Sequence, residues 1–269
     1  PPALPPVDPS GSDGVDASSL SPELLAGLLA DGDDELAAWT LEHALEEAPR
    51  AEVYDGLLAD AMRLVGERWV SGQWSIAEEH LASQTLIRAL ERIRPQLGPE
   101  GRIGPLAVLA GVTGEHHMIG LICLDHVLRE LGLTVANLGA DVPNEDLARF
   151  VERNDARLVA LTASDPARVA TVAGAVKAVR AAAAGRGAGH EVAIMLGGRL
   201  AAHPGIGTTV GVDWAGVTLA DAARFADEEV RRRRELGPAS VEDPHVLEQD
   251  IVGERRGRNR RGHGERYRP

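Results

Sequence analysis

Five short apolar runs, PLAVLAG (105–111), LTVANLG (133–139), RLVALTA (157–163), EVAIMLG (191–197) and DWAGV (213–217), alternate with helix-like segments through the second half of the chain. Runs of this length read as strands, and strands alternating with helices make a parallel sheet with helices wound on both faces. Such a sheet holds its ligands beyond the carboxyl ends of the strands, where strand order reverses. The segment Gly114-Glu115-His116-His117-Met118-Ile119-Gly120 follows the first run at that end, and Thr162 to Ser164 close the third.

The first half has a helical period. Residues 1–20 are Pro, Gly, Ser and Asp with few apolar side chains and are expected to be disordered. Ser21-Pro22 then supplies a cap and a first-turn proline, and helices are predicted over 22–31, 33–48, 51–71 and 75–95. Leu58, Met62, Val65 and Trp69 form one apolar stripe, and Ile76, His80, Ser83, Ile87 and Leu90 nearly form another. Four helices with short joints predict a small bundle over 21–97. Residues 95–101, PQLGPEG, read as a linker, 102–232 as the α/β domain, and 233–269 as a mostly disordered Arg-rich tail.

Composition narrows the function. The stretch 254–269 carries seven arginines against two glutamates, but the net charge of −13 and a lone interleaved aromatic, Tyr267, argue against nucleic-acid binding. No run approaches the roughly 18 apolar residues of a membrane span, and the acidic N-terminus lacks signal-peptide features, so no membrane association and a cytoplasmic location are expected. A single cysteine, Cys123, excludes an internal disulfide framework and reads as a small buried thiol. Aromatics are only 3% of the chain, which makes Trp69, Trp74 and Trp214 candidates for covering a specific surface.

The loop after the first run has neither G-x-G-x-x-G nor a Walker lysine, and Lys177 is the chain's only lysine, so nucleotide-phosphate chemistry of those classes is excluded. What it offers is an imidazole with a carboxylate two residues earlier. A carboxylate bonded to one ring nitrogen fixes the tautomer and makes the other a better metal donor, so Glu115 orients and His117 ligates. His116 reads as a neighbour; His43, His126, His190, His203, His245 and His263 read as solvated or structural.

This segment resembles the D-x-H-x-x-G motif of cobalamin-binding domains, with the Glu variant of the CarH-type light sensors: Glu115, His117 and Gly120 fall on its three positions. Gly197-Gly198 is similar to the family's double glycine, and Thr162-Ala163-Ser164 to its S-x-L segment with Ser in place of Leu; LGADVPNEDL (138–147) also looks typical. Upstream, Trp69, Glu79 and His80 match the W-x9-E-H pattern of the helical cap within VGERWVSGQWSIAEEHLAS (65–83). Read without the family, Trp69 is core and Glu78-Glu79 a solvated face; burial of that charged pair would favour a ligand.

The resemblance implies a four-helix bundle cap followed by a five-stranded parallel, Rossmann-like (flavodoxin-like) cobalamin-binding domain. It implies adenosylcobalamin with His117 as lower cobalt ligand and Gly120 where the nucleotide tail passes close to the backbone. Trp69 would lie against the adenosyl group, with Glu79 and His80 holding its polar edge or the corrin. Light would break the cobalt–carbon bond and change self-association of a homo-oligomer, with output through an unidentified downstream partner or the tails. Some members of the family also hold a bilin such as biliverdin, for which Cys123 offers no anchor in the cap. Relatives that end in a bis-histidine cobalt adduct carry histidine immediately after the tryptophan, where this chain has Val70, leaving water or another histidine such as His80 for the upper site. The rival readings are a corrinoid methyl carrier of a methyltransferase system, which needs an open upper face, and an interaction module without cobalamin.

Overall fold

A computed structural model describes residues 20–97, 104–185 and 191–235. The N-terminal stretch through residue 19, part of the expected linker, His190, His245, His263 and the tail from 236 lie outside the described residues. Helix α1 (Pro22–Asp31) starts where the Ser21 hydroxyl accepts from the Leu24 N–H at 3.2 Å, with proline in the first turn. Helix α2 (Asp34–Glu47) is capped by the Asp33 carboxylate, which accepts from the Leu36 N–H at 2.9 Å. The third helix is continuous but irregular: α3 (Arg50–Val53), a π-helical turn at Tyr54–Leu58, then α4 (Ala59–Val70). Helix α5 (Ile76–Ile93) opens on a capping box in which Ser75 and Glu78 satisfy each other's backbone N–H.

The four helices share a core of Leu25, Leu29, Leu41, Val65, Leu86 and Leu90, all fully buried. The expected stripe on α4 enters that core at Leu58 and Val65 but leaves it at Trp69, which is 47% exposed. The stripe expected on α5 is corrected: the buried face runs through Ala82, Thr85, Leu86, Ala89, Leu90 and Ile93, while Ile76 and His80 are exposed. Small residues carry this face because α1 and α2 press closely on it, and a periodicity search that weights large side chains misses it.

The α/β domain follows as β1 (Leu106–Gly111), α6 (Ile119–Glu130), β2 (Thr134–Asn137), α7 (Asn144–Arg153), β3 (Leu158–Thr162), α8 (Val169–Ala184), β4 (Ala193–Gly197), α9 (Ile206–Val210), β5 (Trp214–Ala215) and α10 (Leu219–Glu235). The strands run β2-β1-β3-β4-β5, every pair parallel, so order reverses beside β1. Alternate strand residues serve opposite faces. Val108, Val159 and Ile194 pack with α7 and α8, whereas Leu109, Ala160 and Met195 pack with α6 and α10. Trp214 belongs to the latter core, 6.2 Å from the Phe225 ring, so its surface is internal.

Helix α6 is apolar on two sides. Leu121, Leu124 and Leu128 face the sheet, while Ile122, Cys123 and Val127 join the bundle core. Burial pushes the Cys123 thiol up to about 12, so it stays an inert, protonated packing group.

Around this apolar seam the irregular third helix supplies three polar links. Arg50 donates to the Tyr54 hydroxyl at 3.1 Å, and Tyr54 lies 2.9 Å from His126 Nδ1 on α6. Arg50 also pairs with Glu130 at 3.7 Å. The Asp55 carboxylate accepts from the backbone N–H groups of Leu219 and Ala220 at 2.7 and 2.9 Å, capping α10 from the other domain. The Tyr54 hydroxyl thus lies between Arg50 and His126 Nδ1, while His126 Nε2 is a buried atom without a hydrogen-bond partner among the described residues.

Burial, followed by the charges of Arg50, Arg94 and Arg129, pushes His126 down to about 3. An unfolded histidine titrates near 6.5, so between those values the unfolded chain binds the extra proton and stability falls as pH falls. At pH 4.5 the loss relative to neutral pH is about 2–3 kcal/mol. Urea unfolding of wild type and His126→Gln at pH 7 and pH 4.5 should show a drop in stability smaller in the variant by that amount; equal drops would remove His126 as the cause.

Candidate functional site

The loop between β1 and α6 is braced before it presents any side chain. The Asp141 carboxylate accepts from the Gly114 N–H at 2.7 Å, and the Asp141 N–H donates to the Glu115 carbonyl at 2.9 Å. Thr113 Oγ1 reaches the Val142 carbonyl at 3.3 Å. The segment 138–147, singled out in the sequence, thus buttresses the loop from the β2 side.

Within the loop Glu115 is 3% exposed. Its Oε1 accepts from the His117 N–H at 2.9 Å and from His117 Nδ1 at 2.5 Å, and its Oε2 accepts from the Ser164 backbone N–H beyond β3. Burial alone would raise this carboxyl, but the hydrogen bonds and charge of His117, with the Ser164 contact, outweigh it and hold Glu115 below the ordinary carboxylate range. His117 itself is 73% exposed. With Nδ1 bound to Glu115, Nε2 is the nitrogen left to donate outward. Among the described residues no group of three or more His, Cys, Asp and Glu is placed to hold a metal ion.

The β3 and β4 ends complete this edge. Thr162 is in register with Gly111 on one side and Gly197 on the other. Gly198 has φ 81°, and a Cβ there would lie 2.8 Å from Thr162 Oγ1 and closer still to the Ala163 carbonyl. A Cβ on Gly197 would meet nothing nearer than 3.9 Å, and one on Gly120 nothing within 4 Å. The double glycine thus divides: Gly198 serves the fold, whereas Gly197 and Gly120 leave room that a ligand would fill.

Sequence reasoning gave Ser164 only as the residue in the Leu position of the S-x-L segment; the group it contributes to Glu115 is its backbone N–H, which any residue but proline supplies. It included Asp141 within 138–147 without a role, and it missed Arg168, whose guanidinium packs on Gly114.

The cap residues form a second cluster. Glu79 Oε2 lies 2.6 Å from His80 Nδ1, and Ser83 Oγ donates to Glu79 Oε1 at 2.9 Å. Glu78 is exposed and committed to the capping box, whereas Glu79 is only 26% exposed. Trp69 and Val70 at the end of α4 and Ile76 at the start of α5 expose large apolar side chains, and Leu81 is exposed beside Gly32 at the end of α1. Among the described residues no hydrogen bond or ion pair joins Trp69, Glu79 or His80 to the Glu115 cluster.

A parallel sheet with a braced, single-imidazole donor at its switch point, preceded by a helical bundle, defines a two-part ligand-binding protein. Family models described as B12 binding domain match both parts, over residues 23–94 and 105–224. The HTH-type transcriptional repressor CarH of Myxococcus xanthus is 40% identical over 111 residues, covering 41% of this chain and 36% of that protein. The repressor CarA of the same organism is 38% identical over 89 residues, covering 33% and 29%. The chain thus spans about a third of the length of these relatives. The structure of the monomethylamine corrinoid protein of Methanosarcina barkeri superposes with a TM-score of 0.60 at 20% identity, covering 76% of this chain and 96% of that one, a likeness of fold. The chain belongs to the CarH-like cobalamin-binding family.

The division of the double glycine is testable. Gly198→Ala should destabilise the protein by about 1–3 kcal/mol in chemical denaturation, while Gly197→Ala should unfold at nearly the wild-type midpoint. Similar midpoints for both variants would show that the edge relaxes around a Cβ.

Proposed function

We propose that the protein is an adenosylcobalamin-binding light sensor in which His117 is the lower cobalt ligand. One observation carries the reading: the His117 imidazole is pinned through Nδ1 by a buried carboxylate, itself pinned by Ser164, and offers Nε2 outward at the switch point. When bound, the corrinoid supplies a cobalt–carbon bond that light can break. The chain's own residues do the rest. Glu115 holds Nδ1 and so orients the imidazole with Nε2 outward, and the open space at Gly120 and Gly197 admits the nucleotide tail beside Thr162 and Ser164. At the α4–α5 corner the exposed Trp69 covers the upper group by area, and Glu79 and His80 supply its polar contacts.

The exposed Trp69, Val70 and Ile76 around the α4–α5 turn support a sensor over a methyl carrier, because a surface that covers the upper group obstructs a partner methyltransferase. The signal would leave through a change in self-association or a downstream protein. A bilin as second chromophore has no residue in the described site that calls for it.

Purified protein loaded separately with adenosyl- and methylcobalamin, with spectra taken before and after green light, tests the reading. Wild type should retain the adenosyl form preferentially and change its spectrum on illumination. His117→Ala should lose the nitrogen ligand, Glu115→Ala should weaken cobalamin retention by about 10- to 100-fold, and Trp69→Ala should retain cobalamin without discriminating between the two forms. Selective retention of methylcobalamin by wild type would instead identify a methyl carrier.

A further inference from the structure

In a protein of net charge −13 an arginine finds a carboxylate readily. Arg88 and Arg92 share Asp34 at 3.1 and 2.5 Å, Arg129 meets Asp125 at 2.5 Å, and Arg180 meets Asp213 at 2.7 Å. Arg68 instead lies over the Trp74 ring at 4.8 Å, and Arg153 sits in the last turn of α7, where the helix dipole favours a cation. Arg168 and Arg199 have none of these supports. Among the described residues neither side chain makes an ion pair or a hydrogen bond, and Arg168 Nε is buried without a partner.

Both stand at the His117 site. Strands β3 and β4 are neighbours, and the two arginines follow their carboxyl ends, Arg168 shortly after Ser164 and Arg199 directly after Gly198. The Arg168 guanidinium packs on Gly114, the residue before Glu115, so closely that a Cβ there would run into Cζ, Nη1 and Nη2. The backbone on either side of Arg199 is fixed to the β3 end: the Leu200 N–H donates to the Ala163 carbonyl at 3.0 Å, and a Cβ on Gly198 would strike that same carbonyl. Carboxylates stand close by without pairing, since Asp141 is committed to the Gly114 N–H and Asp165 to the Ala167 N–H, at 2.7 and 2.8 Å. Unpaired cations on adjacent loops make a positive rim on an acidic protein, and such a rim attracts an anion.

We propose that Arg168 and Arg199 are specificity residues that hold the phosphodiester in the nucleotide tail of a corrinoid, an inference that rests on the corrinoid reading above. The group follows from chemistry: the side chains around a cobalamin macrocycle are neutral amides, and the phosphodiester of the tail is its one anionic substituent. The place follows from Gly197, which leaves room in register with Thr162 and lies two positions before Arg199. A guanidinium meets a phosphate through paired N–H donors, which adds orientation to charge. Charge at the rim then selects complete corrinoids over those without a tail, a discrimination His117 cannot make because it meets only cobalt.

Cobinamide, which has the corrin ring and cobalt but neither the phosphate nor the nucleotide base, tests this. Equilibrium dialysis of the 269-residue protein with hydroxocobalamin and with aquacobinamide gives a Kd for each, and each corrinoid is compared with itself across variants. Arg168→Gln and Arg199→Gln should each raise the Kd for hydroxocobalamin by about 10-fold and leave that for cobinamide unchanged. The unchanged cobinamide value also shows that the variants are folded. Raising salt from about 0.05 to about 0.5 M should weaken hydroxocobalamin binding more in wild type than in the double variant. Equal losses for the two corrinoids, or no loss for either, overturn the phosphate assignment and leave His117 in place. Failure of wild type to bind either corrinoid overturns the corrinoid reading itself.

Discussion

A carboxylate buried at the edge of a sheet is unfavourable unless its oxygens find donors, and both oxygens of Glu115 do, with groups from two separate loops. Its ties to Ser164 and, through its backbone carbonyl, to Asp141 bind the ends of β1, β2 and β3 into one rim. The same charge that makes the rim rigid also settles which nitrogen of His117 faces outward. Structural and chemical roles are thus carried by one side chain, and the loop is ordered because the carboxylate has no cheaper place to go.

The helical cap is attached by a different principle. Helix α6 lends one apolar side to the sheet and another to the bundle, so the two cores meet across a single helix. Apolar burial holds that seam without directing it, since the hydrophobic effect has no preferred geometry. Direction comes from Tyr54 against His126 and from Asp55 on the first N–H groups of α10. These contacts are specific because removing one partner strands the other in a buried place.

The α/β architecture is legible in the chain because parallel strands covered on both faces must be continuously apolar, and all five runs from 105 to 217 contain a strand. The Glu115–His117 pair is legible because its spacing suffices for a local hydrogen bond. Ser164's part is not, since a backbone donor carries no residue signature, and the joint through Tyr54, Asp55 and His126 joins positions 72 to 165 residues apart. The buried face of α5 escapes for another reason: Ala82 and Ala89 pack by being small, a property that hydrophobic periodicity barely registers.

The π-helical turn at Tyr54–Leu58 holds the residues that grip the second domain. Such a turn stores one surplus residue within a helix. That one residue offsets the helix before it from the helix after it by about 100° around the axis. The angular offset between α3 and α4 is therefore set by this turn, and removing its surplus residue would swing α3, with Arg50, by about 100° relative to α4 while leaving α4 helical.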